Sequence, residues 1–154
     1  MHIELEKLLK KYECIHNKEI TLKSGSKSNV YYDLKKASGF PEILSFVVKE
    51  LKKIIPHNSN ISCVATGAIS YAAAFAFATN SNFSYVRPDK KNHGTEKLIE
   101  GYIDKSKKIY LLEDVCTTGN SILKAEQTLI NNGFANIVKV CILKRNKELE
   151  IITI

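Results

Sequence analysis

The chain has 154 residues, 44% of them hydrophobic and 25% charged, and a formal net charge of +7. That length suits one domain able to bury a core without covalent staples, and the composition excludes a disordered, collagenous or coiled-coil polypeptide. Its apolar runs fall short of the roughly 20 residues that span a bilayer, and the opening Met1-His2-Ile3-Glu4-Leu5-Glu6 has no apolar segment of the secretory kind; no membrane partner and a cytoplasmic setting are expected.

Leu5, Leu8, Leu9 and Tyr12 recur at helical spacing and predict a first amphipathic helix. Two short segments follow, 19–22 and 29–34, around a Gly- and Ser-rich turn at 23–28. Pro41 stands at a first-turn position of a helix predicted to run to about residue 55, with Ile43, Phe46, Val47, Leu51 and Ile54 on its apolar face. An alternation then begins: strand 61–65, a turn at Gly67, a small-residue helix 69–78, strand 83–87, a polar loop 88–96 and a short strand in 97–103. Strand 108–112, loop 113–120, helix 121–132 closed by Gly133 and strand 137–143 complete it. Continuous apolar strands alternating with helices predict an α/β fold with a parallel sheet covered on both faces. Ligands in such sheets bind beyond the carboxyl ends of the strands, which points to the loops 66–70, 87–96 and 113–121.

Cys14, Cys63, Cys116 and Cys141 form no C-x-x-C pair, and His2, His16, His57 and His93 stand at no zinc-ligand spacing, so reduced thiols and no zinc site are expected. The positive balance suits a polyanion or a small, highly charged anionic substrate. It equally suits a solvated surface, since Lys7, Lys10, Lys11, Lys49, Lys52 and Lys53 fall in the amphipathic helices. With no aromatic-interleaved basic stretch and no helix-turn-helix pattern, no nucleic-acid partner is expected.

The segment 109–121 is the most informative. An apolar strand ends in Glu113-Asp114, and Val115-Cys116-Thr117-Thr118-Gly119-Asn120-Ser121 then opens a helix. Gly119 lets backbone approach a ligand closely. The free N–H groups of the helix start suit a phosphate, with Thr117, Thr118 and Ser121 as further donors. The two acids suit sugar hydroxyls or the water shell of a metal. The plainer alternative is a strand–turn–helix with Ser or Thr as N-cap. Against it stand two adjacent carboxylates at a strand end, costly to desolvate unless something binds them.

This segment resembles the phosphoribosyl-diphosphate (PRPP) motif of type I phosphoribosyltransferases, and three further segments narrow the resemblance to orotate phosphoribosyltransferases. They are Thr21-Leu22-Lys23-Ser24-Gly25-Ser26-Lys27-Ser28 with Tyr31-Tyr32-Asp33, the turn Val64-Ala65-Thr66-Gly67-Ala68-Ile69, and Tyr85-Val86-Arg87-Pro88-Asp89-Lys90-Lys91-Asn92-His93-Gly94-Thr95 continued by Lys97-Leu98-Ile99-Glu100-Gly101. The similarity covers roughly residues 20–143. It implies a single phosphoribosyltransferase domain with a central parallel sheet flanked by helices, a small hood mainly in 1–40, a core in 41–145 and a short tail in 146–154.

The implied reaction is displacement of diphosphate from PRPP by orotate, giving orotidine 5′-monophosphate in pyrimidine synthesis. The resemblance gives the 5-phosphate to Thr117–Ser121, the ribose hydroxyls and magnesium shell to Glu113 and Asp114, and the diphosphate to Thr66 and Gly67. Arg87, Lys91 and His93 are implied to close over the leaving group, with Asp114 beside them in catalysis. Lys23 is implied to contact both substrates, and Tyr31, Tyr32, Thr117 and Arg145 to meet orotate. Mg2+ is implied to ride on the diphosphate and its waters rather than on direct protein ligands. A homodimer sharing loop 87–96 is implied as well.

Read without the resemblance, 87–93 is also compatible with a solvated polar loop, and Tyr31 and Tyr32 with half-buried strand packing. Pro88 and Ile69 stand where some relatives of this kind carry lysines, Lys144 replaces an acid, and little chain follows Arg145. Transfer to another base, or a PRPP-binding regulator without turnover, are the alternative readings.

Overall fold

The structure, a computed structural model, describes residues 2–21, 27–88 and 97–154. Helix α1 (Ile3–Lys11) buries Leu5, Leu8 and Leu9, as the spacing predicts. Strands β1 (Ile15–Thr21) and β2 (Lys27–Tyr32) form a separate antiparallel ribbon with Ile15 opposite Tyr32. A one-turn helix, α2 (Leu34–Ala37), follows; its sequence is too short for periodicity to announce it. Asp33 caps it by accepting the Lys36 N–H at 2.9 Å.

Helix α3 (Pro41–Leu51) starts on its proline as expected and ends four residues before the predicted limit, where backbone turns bring Ile54 and Ile55 back onto the core. Then come β3 (Asn60–Val64), α4 (Ile69–Thr79), β4 (Asn82–Val86), β5 (Ile99–Gly101), β6 (Ile109–Cys116), α5 (Asn120–Asn131), β7 (Ile137–Lys144) and β8 (Ile152–Thr153). The six-stranded sheet runs β5-β4-β3-β6-β7-β8. All its pairings are parallel except the edge strand β5, which lies antiparallel on β4.

Strand alternation sends successive side chains to opposite faces. Tyr110 and Leu112 join Ile61, Cys63, Val140 and Ile142 under α1, α3 and α4. Ile109 and Leu111 pack with Ile122, Ala125 and Leu129 of α5 on the other face. β6 runs on through Glu113 and Asp114 to Cys116, farther than its apolar stretch suggests, because β7 pairs with it as far as Cys116↔Lys144. The carboxyl ends of β3, β4 and β6 therefore lie at one edge of the sheet, and the three loops singled out from the sequence leave from there. No helix among the described residues is long and apolar enough to cross a membrane.

Candidate active site

A cavity of about 620 Å³ opens at that edge. Three sides are built from the segments the sequence singles out: Val64–Gly67 after β3, Val86–Pro88 after β4, and 113–122 from the end of β6 into α5. The ribbon supplies the fourth side with Tyr31 and Tyr32.

The turn 117–119 leads into α5 with Gly119 at φ +80°, and no side chain caps the helix. The plainer reading, in which Ser or Thr at the N-cap satisfies the first N–H groups, holds only in part: the N-cap is glycine, and Thr118 before it reaches a single N–H. Thr118 Oγ1 makes a 3.4 Å contact with the Asn120 N–H, and Leu123 N–H bonds back to Gly119 O at 3.0 Å. The remaining first-turn N–H groups have no intrahelical acceptor, and such a terminus attracts an anion. Behind the turn, a Cβ on Gly119 would stand 3.2 Å from Leu149 Cδ2, so the C-terminal segment backs it directly.

Glu113 is only 6% exposed, with Oε1 3.3 Å from the Asp114 N–H, while Asp114 is half-buried. Across the cavity floor the Asp114 carboxylate presses on the β3 turn: a Cβ on Gly67 would fall 2.0 Å from its Oδ2. That contact ties the acidic strand end to the Thr66-Gly67 turn, whose Ala65–Thr66 peptide is cis. The two carboxylates also act at a distance. The Cys63 thiol is pushed up to about 12, first by burial and then by Glu113 and Asp114. Burial and then Asp114 raise the Tyr71 phenol as well.

Arg87 reaches the cavity wall with its guanidinium engaged: Nε lies 3.2 Å from Glu100 Oε1, Nη2 3.2 Å from the Tyr85 hydroxyl, and the cation 5.4 Å over the Tyr85 ring. Thr117, Thr118, Asn120, Ser121, Val115 and Cys116 all line the cavity. Arg145 does not. Its Nη2 donates to Ser28 Oγ at 2.7 Å, its Nη1 to Val30 O at 3.3 Å, and it lies 5.8 Å over the Tyr32 ring, which pins the ribbon to the end of β7. Lys23, Lys91 and His93 lie outside the described residues.

Two cavity cations escape sequence reasoning, Lys35 and Lys124. Lys124 could have been found, because Ser121, Lys124, Ala125 and Thr128 follow the i, i+3, i+4, i+7 rule of one helix face. Lys35 has no such local signal. Among the described residues no group of three His, Cys, Asp or Glu side chains could hold a metal ion.

No model of a known protein family matches the chain. It is 37% identical over 131 residues to the orotate phosphoribosyltransferase of Methanocaldococcus jannaschii, covering 84% of this chain and 74% of that one. It is 36% identical over 152 residues to the orotate phosphoribosyltransferase of Pyrococcus horikoshii, covering 96% and 81%. The crystal structure of the Aeropyrum pernix orotate phosphoribosyltransferase superposes with a TM-score of 0.80 at 31% identity, over 92% of this chain and 82% of that one. Sequence relatives and fold agree with the motifs that meet at the cavity, and the chain belongs to the orotate phosphoribosyltransferase family, with the α/β fold of type I phosphoribosyltransferases.

Proposed function

We propose that this protein transfers the 5-phosphoribosyl group of PRPP to orotate, releasing diphosphate and forming orotidine 5′-monophosphate in pyrimidine synthesis. The observation that carries the reading is the convergence of Glu113-Asp114, the uncapped start of α5 and the Thr66-Gly67 turn on one cavity. A sugar bearing a phosphate at one end and a diphosphate at the other needs donors at both ends and acceptors between them, and the cavity wall offers that order.

In this reading the N–H groups of 118–121, with the Thr117, Thr118 and Ser121 hydroxyls, hold the 5-phosphate. Glu113 and Asp114 accept from the ribose hydroxyls. As diphosphate departs the ribose turns cationic, and the fixed carboxylates favour that charge without reorganising. Thr66 and Gly67 backbone meets the departing diphosphate, and Arg87, with Lys91 and His93 closing from loop 87–96, offsets the negative charge building there. Tyr31 and Tyr32 give the base two rings to stack on. By the resemblance Lys23 contacts orotate and the ribose, while Arg145, which does not line the cavity, serves the base end indirectly by holding the ribbon of Tyr31 and Tyr32 against β7.

The donor set suits Mg2+ carried by the substrate. Two carboxylates face the cavity, and hard oxygens around a mostly hydrated ion are what magnesium takes. Held through its water shell by Glu113 and Asp114, bound magnesium would neutralise part of the diphosphate charge.

A homodimer sharing loop 87–96 belongs to the proposal, and α4 supports it. That helix is apolar nearly all round, Ile-Ser-Tyr-Ala-Ala-Ala-Phe-Ala-Phe-Ala-Thr, yet leaves Phe77 93% exposed, whereas helices of this kind are normally covered. Free, buried thiols at all four cysteines support a reducing, cytoplasmic setting. The hood at 1–40, core at 41–145 and tail at 146–154 form one domain in this reading.

An assay of orotate consumption with PRPP and magnesium tests it, run beside uracil, xanthine and adenine. Orotate-dependent release of diphosphate is expected. Turnover of another base alone would reassign the substrate, and PRPP binding without any diphosphate release would make the protein a regulator.

A further inference from the structure

We propose that Lys35 is a substrate-binding residue for the diphosphate end of the cavity, a position at which the β3 turn itself supplies no charge. The inference rests on the phosphoribosyl-transfer reading and deepens it. The turn 64–69, Val-Ala-Thr-Gly-Ala-Ile, contains no cation, although a diphosphate beside it carries several negative charges. The described cations that line the cavity are Lys35, Arg87 and Lys124. Arg87 is paired with Glu100, and Lys124 has an interaction of its own. Lys35 is exposed, lines the cavity, and has no ion-pair partner among the described residues.

The backbone next to Lys35 is hydrogen-bonded on both sides, which fixes the point from which its side chain enters the cavity wall. The Tyr71 hydroxyl, wholly buried on α4, donates to Leu34 O at 2.7 Å. Ser38 Oγ donates to Lys35 O at 2.9 Å, and Asp33 accepts the Lys36 N–H. Tyr71 lies in the first turn of α4, directly after the 65–68 turn, so its bond docks α2 beside that turn. The neighbouring lysine is engaged elsewhere: Lys36 Nζ donates to Glu13 O at 3.0 Å. Of the two lysines on α2, the structure thus leaves the cavity-lining one available. An ammonium there meets phosphoryl oxygens as a point charge, which tolerates a ligand that leaves during the reaction.

The test compares wild type with Lys35→Gln and Lys35→Arg, reading KM for PRPP and for orotate, and binding of diphosphate and of ribose 5-phosphate, each with magnesium, by calorimetry. Lys35→Gln is expected to weaken PRPP and diphosphate by about tenfold each and to leave ribose 5-phosphate and the orotate KM unchanged; Lys35→Arg should restore most of the loss. Unchanged diphosphate affinity would overturn the proposal. So would an equal loss for ribose 5-phosphate, which marks a general field effect, or a loss confined to orotate, which puts the lysine at the base. Because calorimetry needs no turnover, a wild-type protein that binds PRPP and diphosphate but consumes no orotate would defeat the enzymatic reading while leaving the Lys35 comparison decisive.

Discussion

Gly67 and Asp114 are fitted to one another at the scale of single atoms, since any β-carbon at residue 67 collides with the Asp114 carboxylate. Asp114 would have to swing out of the cavity to admit one. Gly67→Ala is therefore expected to lower kcat/KM for PRPP by 100-fold or so, the order of loss that follows a misplaced group in an active site, while far-ultraviolet circular dichroism stays native. Near-wild-type activity would mean that the position of this carboxylate is immaterial. Single residues were also where the sequence spoke most clearly. Glu113, Asp114, Gly119 and Thr66 could be named because their chemistry is local to a strand end. Lys35 could not, because tertiary contacts, the Tyr71 bond to Leu34 O and the burial of Leu34 and Ala37 in the core, bring α2 to the cavity.

Among elements, the C-terminal segment takes on a role that its composition does not announce. Within the short tail a strand, β8, forms beside β7. Lys144 Nζ donates to Ile151 O at 3.1 Å and Leu149 O at 3.3 Å, drawing the segment in so that Leu149 backs Gly119 and Ile151 joins the core under α5. The lysine that replaces the expected acid is thus the strap of the tail. Lys144→Met should remove both bonds, cost about 1–3 kcal/mol in stability, lower Tm by several degrees, and raise KM for PRPP more than it lowers kcat, because the turn for the 5-phosphate loses its backing. A kcat loss with unchanged KM would detach the tail from that turn. Elements with a period were legible, including α1, α3, α5 and the core strands. The end of β6 was not, since pairing with β7 carries two carboxylates into a strand that propensity alone would have stopped at Leu112.

At the scale of the whole molecule, the parallel sheet fixes where chemistry can occur by bringing the ends of β3, β4 and β6 to one edge. The apolar outer surface of α4 bears on the proposed assembly. Phe77→Glu should convert a dimer to monomers in sedimentation equilibrium without unfolding them. If loop 87–96 acts across subunits, it should also cut turnover by at least tenfold at low protein concentration while the monomer still binds ribose 5-phosphate. A variant that stays dimeric would move the interface elsewhere. The most direct measurement on the account as a whole is a crystal structure grown with PRPP and magnesium. The account predicts the 5-phosphate on the amides of 118–121, the ribose hydroxyls on Glu113 and Asp114, and the diphosphate beside Thr66 and Gly67. A sugar phosphate bound outside this cavity, or bound within it with both carboxylates turned away, would contradict it.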